Sequence, residues 1–184
     1  DIYYFGNLKF FLDICVNDNK PNNICFASIH KSEFEQILNI INNLDHAKIN
    51  SVYIIPRHIQ YSKHLKSMLN KNLNSKVIIH SEFGNILPLF DISKLVFMGG
   101  SLIPHGGQNP LEALSRGCYI LSGQYTDNFR SQYLELDEQN LASILEGNVK
   151  DMSLKIDQLL DMNFNNSELI KINFNKNTKN IYSL

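Results

Sequence analysis

Short apolar runs recur along the chain, and their alternation with helical patterns is the feature that most restricts the fold. The runs cover residues 24–27, 52–55, 77–79, 95–98 and 119–121. Each is too short for a helix and several contain β-branched residues, which predicts buried strands. Between them lie amphipathic helical patterns. In residues 34–44, for example, the apolar side chains recur at helical spacing and form one stripe.

Strands that are apolar along their whole length, alternating with amphipathic helices, predict a parallel sheet with helices on both faces. Because crossovers in such sheets are right-handed, we predict an α/β fold with a Rossmann-like, doubly wound parallel sheet. We assign this domain to residues 24–162, with 1–23 as an interdomain linker segment. Residues 163–184 form a polar C-terminal tail, for which a helix is one interpretation. Segments 127–134, 141–145 and 152–160 are interpreted as extra C-terminal helices.

Composition excludes several classes of function. The net charge of −1 over 184 residues provides no basic surface for nucleic acid and no polybasic anchor for acidic lipid. The three cysteines have neither C-x-x-C spacing nor a nearby histidine at zinc spacing, so we expect reduced thiols and no metal. No apolar run approaches the roughly 18 residues of a membrane span. Because the chain begins at Asp1 without an initiator Met, we expect it to be a segment of a longer protein.

The densest functional signal is the segment 99–112, which reads GGSLIPHGGQNPLE. It has four glycines within its first nine residues, follows a strand and precedes a helix. Glycines allow backbone N–H groups to approach an anion, and a helix N-terminus adds partial positive charge. Helix capping explains Asn109, Pro110 and Glu112 without a ligand, but it does not explain the two glycine pairs. The spacing matches neither Walker A nor the dinucleotide fingerprint, so it predicts another kind of ligand loop.

Ligands of open parallel sheets bind beyond the carboxyl ends of the strands, so the loops after the other strands are also candidates. Arg57 follows the second strand, where its guanidinium could pair with a phosphate or carboxylate. A solvated arginine is the alternative. Gly84 and Asn85 precede the next helix, where backbone amides could meet a base or phosphate, although a turn is equally expected there.

The loop after the first strand contains Ser28 and His30. Glu33 and Glu35 open the following helix, where acidic side chains ordinarily complement the helix dipole. The chain contains no recognisable Ser/His/Asp set, activated cysteine or metal cluster. No catalytic residue is therefore assigned within this segment.

With its two preceding residues, the glycine segment closely resembles the signature of the 3-deoxy-D-manno-octulosonic acid (Kdo) transferases. Four further blocks are similar to that family and occur in the same order. They are residues 6–10 (GNLKF), 27–35 (ASIHKSEFE), 55–58 (IPRH) and 123–129 (GQYTDNF). The resemblance covers about residues 6–133, and the ordered blocks make it more specific than any single motif.

The resemblance implies the C-terminal half of a GT-B glycosyltransferase, which transfers Kdo from CMP-Kdo to a lipid A precursor in lipopolysaccharide biosynthesis. It further implies no metal or other cofactor and a location at the cytoplasmic face of the bacterial inner membrane. In that family the catalytic glutamate and the membrane-associating surface belong to the N-terminal half, which is not in this sequence. We therefore expect the segment alone to bind CMP or CMP-Kdo weakly and to transfer nothing.

The site residues carried over from the family surround the CMP moiety. Glu112 would hold ribose hydroxyls, backbone amides at 107–109 would face the phosphate, and the helix dipole with Arg57 would neutralise the leaving CMP. The implied CMP contacts are Pro56, Arg57, Phe83, Gly84, Asn85, Asn109, Pro110, Leu111 and Glu112, with Ser101, Gly107 and Gln108 as further candidate donor contacts.

One departure from the family pattern affects the expected affinity, because Asn85 stands where the family usually has a glutamate. Two other interpretations stay open. One is a different GT-B nucleotide-sugar enzyme, such as an epimerase, which would require more ionisable groups around the sugar than this chain offers. The other is a non-catalytic nucleotide-binding module. A preference for CMP over UMP and UDP would favour the Kdo transferase interpretation.

Overall fold

The computed structural model describes residues 15–17, 19–69, 76–82 and 84–164. In order across the sheet, β3-β2-β1-β4-β5-β6, every neighbouring pair of strands is parallel. The order reverses between β1 and β4, so their carboxyl ends form the topological switch point at which such sheets bind ligands. The strands are β1 Ile24–Ile29, β2 Val52–Pro56, β3 Val77–Ile79, β4 Leu95–Met98, β5 Tyr119–Ser122 and β6 Ala142–Ile144.

Helices cover both faces of the sheet, which confirms the doubly wound prediction. Three of them pack on one face, against Phe26 and Phe97, and the other three pack on the opposite face, against Cys25 and Val96. Successive strand residues supply the two cores because their side chains point to opposite faces. The first group is α1 Phe34–Asn43, α2 Ser62–Met68 and α6 Val149–Asp161, and the second is α3 Leu87–Asp91, α4 Leu111–Ser115 and α5 Arg130–Glu138.

The helix predicted over 141–145 is wrong, because Ala142–Ile144 form the edge strand β6. Its register with β5 pairs Ile120 with Ala142 and Ser122 with Ile144. A five-residue apolar run is compatible with either a strand or a buried helix. The unpaired edge of β5 decides between them, since its backbone N–H and C=O groups require partners. Of the other two predicted segments, 127–134 covers the 3-10 helix Asp127–Phe129 and the first half of α5, and 152–160 lies within α6.

The predicted linker and tail lie largely outside the described residues. Where the linker is described, Lys20 donates hydrogen bonds to the carbonyls of Phe90 at 2.7 Å and Ser93 at 3.0 Å. Phe164, at the start of the predicted tail, stacks on Tyr119 with ring centroids 4.4 Å apart. Within the ranges that the structure describes, no helix combines the length and apolar character needed to cross a bilayer.

Candidate functional site

The side chain of Glu33 holds the glycine loop, residues 99–112, in place. Its side chain is fully buried, and its carboxylate accepts hydrogen bonds from the backbone N–H groups of Gly100 at 2.8 Å, Ser101 at 3.1 Å and Leu102 at 3.0 Å. The N–H of His30 donates to the same carboxylate at 2.9 Å. A buried carboxylate needs several donors to replace its lost hydration, and this loop provides them. The prediction that Glu33 merely complements the helix dipole is therefore wrong.

Ser101 belongs to the same internal hydrogen-bond network and is unsuited to contact a CMP-Kdo molecule. It is fully buried, its hydroxyl donates to the carbonyl of Met98 at 2.6 Å, and the N–H of Gly123 donates to that hydroxyl at 2.8 Å. Since its backbone N–H is bound to Glu33, every donor of Ser101 is already used. The predicted contact between Ser101 and the CMP-Kdo substrate is contradicted, because the loop folds inward at this residue.

Two glycines permit close approach between backbones at this edge of the sheet. A methyl group at Gly99 would lie 2.7 Å from the carbonyl carbon of Ser28, and one at Gly123 would lie 2.6 Å from the carbonyl carbon of Ser101. Ser28 itself has a φ of 56°, in the left-handed region, where β1 loses its regular register with β2. Part of the glycine content therefore reflects packing rather than ligand binding.

At the second glycine pair, Gly106 and Gly107, the loop turns back towards Gly100. The N–H of Gly107 donates to the carbonyl of Gly100 at 2.8 Å. This contradicts the prediction that the amide of Gly107 faces a phosphate, because its proton is already used inside the loop. Within the described part of the chain, no hydrogen bond uses the N–H groups of Gln108 or Asn109, and both residues are partly exposed. Among the partly exposed residues at the end of this loop, the N–H groups of Gln108 and Asn109 are thus available as donors.

The start of α4 divides the predicted CMP contacts into two groups. Asn109 accepts a hydrogen bond from the N–H of Leu111 at 3.2 Å and remains partly exposed, and Glu112 is exposed. Pro110 is buried, and Leu111 is only 1% exposed within the core under α4. A side-chain contact from Leu111 to a nucleotide is therefore contradicted. The capping box predicted for Glu112 is also absent from the described contacts of α4.

The loop after β2 places the Arg57 cation beside the loop after β1. Pro56 is the last residue of β2 and is buried. The N–H of Arg57 donates to the carbonyl of Ile29 at 2.8 Å, which fixes the backbone while the side chain stays exposed. Arg57 is near enough to His30 to lower the pKa of its imidazole. The structure thus brings the loops after β1, β2 and β4 together.

Three CMP contacts were predicted in the segment before α3. Phe83 lies outside the described residues. Gly84 and Asn85 are exposed, and the side-chain oxygen of Asn85 accepts from the N–H of Leu87 at 3.0 Å, in a turn directly before α3. Because α3 packs against α4, Asn85 and Asn109 mark the starts of two neighbouring helices at the same edge of the sheet.

An imidazole pair at this edge was not singled out from the sequence. The rings of His30 and His105 stack with centroids 4.4 Å apart and planes at 24°. Burial lowers the pKa of His30, and the nearby His105, Arg57 and His58 lower it further against the opposing influence of Glu33. The available signal was a histidine in each of the loops after β1 and β4, which meet at the switch point.

The chain is similar in sequence to known proteins. No family model matches the chain. The 3-deoxy-D-manno-octulosonic acid transferase of Haemophilus influenzae is 30% identical in an alignment of 142 residues with gaps, which covers 66% of this chain and 32% of that protein. The enzyme of the same name from Rickettsia prowazekii is 30% identical in an alignment of 190 residues with gaps, which covers 89% of this chain and 41% of the relative.

The chain is homologous to part of the Kdo transferases. The enzyme of that name from Aquifex aeolicus matches 88% of the chain at 27% identity. The chain spans about a third to a half of the length of these curated relatives, at 32% to 48%.

Solved structures support the fold of this Kdo transferase homologue. The C-terminal CMP-Kdo binding domain of WaaA from Acinetobacter baumannii matches with a TM-score of 0.67 at 21% identity, over 88% of this chain and 90% of that one. The catalytic domain of a cholesterol-alpha-glucosyltransferase from Helicobacter pylori matches with a TM-score of 0.54 at 18% identity, over 89% and 99% of the two chains. The chain therefore has a Rossmann-like α/β fold, like that of these two domains.

Proposed function

We propose that this chain is the donor-binding part of a Kdo transferase, which binds the CMP moiety of CMP-Kdo at the carboxyl edge of the sheet. The observation that carries the proposal is the pair of backbone N–H groups at Gln108 and Asn109, which have no acceptor among the described residues. Their loop meets His30 through His105, and Arg57 acts on the same His30 at the switch point. Backbone donors and a guanidinium are suited to a phosphate. The homology to Kdo transferases supports cytidine as the nucleoside.

Each accessible residue has a distinct role in this proposal. Arg57 pairs with the phosphate and stabilises the charge that develops on departing CMP. The N–H groups of Gln108 and Asn109 donate to phosphate oxygens. Glu112, exposed on the first turn of α4, accepts hydrogen bonds from the ribose hydroxyls. Since α4 has only five residues, its dipole is short and Arg57 takes the larger share of the charge stabilisation.

The acceptor and the cellular location belong to the same proposal. We infer that the whole protein transfers Kdo to a lipid A precursor at the cytoplasmic face of the bacterial inner membrane, without a metal or other cofactor. No catalytic base is assigned to the described residues. The support for these inferences is the homology to proteins that bear the Kdo transferase name.

The donor preference is tested by titrating the 184-residue chain with CMP, UMP and UDP in a calorimeter. We expect CMP to bind most tightly. Arg57→Ala should weaken CMP binding by about tenfold or more, since a hydrogen-bonded charge contact contributes roughly 1.5–3 kcal/mol.

The control for this prediction is Lys155→Ala, which removes a positive charge from the exposed side of α6 and should leave binding unchanged. Equal or tighter binding of UDP would favour a different nucleotide-sugar enzyme. Binding of CMP that is insensitive to Arg57→Ala would remove the phosphate assignment.

A further inference from the structure

The two stacked imidazoles are built into the switch point from separate loops. His30 follows β1 and His105 lies within the glycine loop, yet their ring centroids are 4.4 Å apart. The Nε2 atom of His30 is buried, and no hydrogen-bond partner for it exists among the residues that the structure describes. A buried ring nitrogen without a partner is costly, and such a group calls for an explanation.

The space beside this nitrogen is kept open by a glycine. Gly100 has a φ of 69°, and a methyl group at its Cα would lie 3.3 Å from Nε2 of His30 and 3.4 Å from the side-chain nitrogen of Gln108. Two nitrogen atoms therefore converge on one small volume next to the loop. Both can donate hydrogen bonds when His30 is protonated or carries its proton on Nε2.

The ionisable groups that act on His30 are mostly basic. His105 faces it from the glycine loop, Arg57 and His58 face it from the loop after β2, and among the described residues Glu33 is the carboxylate that opposes them. The Glu33 carboxylate is already committed to four backbone N–H groups. Like charges repel, so a further anion bound beside the stacked rings would favour protonation of His30.

We propose that His30 and His105, with the side chain of Gln108, form an anion subsite that binds an oxyanion of the donor by taking up a proton. The inference rests on the proposed function and specifies the chemistry of the same site. The occupant is an oxyanion, which the donor offers twice, as the phosphate of the CMP moiety and as the carboxylate of the sugar acid. In either case the bound anion stabilises the imidazolium form.

The direction of the pH dependence follows from the two states of His30. Burial and the neighbouring cations hold its pKa below the ordinary value in the free chain. A bound oxyanion raises that pKa because opposite charge favours the protonated ring. Between the two values binding takes up a proton, so affinity rises as the pH falls through this window. Below the pKa that His30 has in the free chain, the affinity no longer depends on the protonation of His30.

The test is calorimetric titration of the chain with CMP, cytidine and free Kdo, in buffers of different ionisation enthalpy at about pH 7.5 and pH 6.0. Wild type is compared with His30→Gln, with His105→Gln and with the control His64→Gln, which changes an exposed histidine on α2. The phosphate of CMP itself titrates near pH ~6, so the linked proton is taken from the difference between wild type and variants.

We expect wild type and His64→Gln to gain about 3- to 10-fold more CMP affinity on acidification than His30→Gln, together with extra proton uptake. Linkage seen with CMP identifies the phosphate as the occupant, and linkage seen only with Kdo identifies the carboxylate. His105→Gln, at an exposed position, gives the same comparison if His30→Gln fails to fold. Equal proton uptake in all four proteins with CMP and also with Kdo, while CMP still binds, would overturn the inference alone. Absence of binding by both CMP and Kdo would remove the proposed function and the inference with it.

Discussion

Glu33→Ala is expected to lower the free energy of unfolding by about 3–5 kcal/mol, the largest effect of any single substitution considered. The carboxylate accepts three hydrogen bonds from the glycine loop and one from His30, all within 3.1 Å. Removing it leaves three buried loop N–H groups without an acceptor, and each such group costs roughly 1–3 kcal/mol before water enters the cavity. Urea denaturation followed by circular dichroism measures the loss.

The matched control is Glu35→Ala, two residues further along the same chain. Glu35 is exposed in the first turn of α1, so its removal should change stability by less than about 0.5 kcal/mol. Glu33→Gln is informative as well, because its amide group places N–H donors against the loop N–H groups. If Glu33→Gln and Glu35→Ala were equally mild, the carboxylate would not be anchoring the loop.

Gly123→Ala is expected to destabilise the chain by about 3 kcal/mol, at the upper end of what overpacking ordinarily costs. The added methyl group would meet the carbonyl oxygen of Ser101, with the carbonyl carbon at 2.6 Å and the N–H nitrogen of Leu102 at 2.9 Å. This backbone has little freedom to move, because the N–H groups of Ser101 and Leu102 are bound to Glu33. The clash must therefore separate β5 from the glycine loop.

Thermal and denaturant unfolding of Gly123→Ala should be compared with Gln124→Ala, a substitution at the next residue. Gln124 is exposed, so losing its side chain should alter stability by less than about 0.5 kcal/mol. A Gly123→Ala protein as stable as Gln124→Ala would show that the loop can shift away from β5. It would also weaken the interpretation of Gly123 as a packing glycine.

Sequence patterns predicted the strands of the sheet and the buried side of helix α1, because both depend on local periodicity. All five predicted apolar runs are strands, since a strand buried on both faces is apolar along its length. The stripe over residues 34–44 is buried as predicted in α1. The edge strand β6 was misread because three paired residues leave too short a pattern to distinguish a strand from a helix.

The location of the candidate site was also predictable, but the roles of its residues were not. The strand alternation placed Arg57 and the glycine loop at the carboxyl edge. Sequence similarity could not show that Leu111 points into the core or that the donors of Ser101 are already used. These outcomes depend on which direction each backbone group faces after the loop closes.

The sequence by itself determined the parallel α/β sheet, the position of its glycine loop and the relation to Kdo transferases. Each of these depends on residues that are near one another in the chain. The tertiary structure decided what holds that loop, because Glu33 lies 67 positions before Gly100 and meets it only when β1 and β4 become neighbours. The same pairing stacks His30 on His105 and leaves the amides of Gln108 and Asn109 available. Long-range contact of this kind has no periodicity in the sequence, which is why the anion chemistry of the site emerges only from the fold.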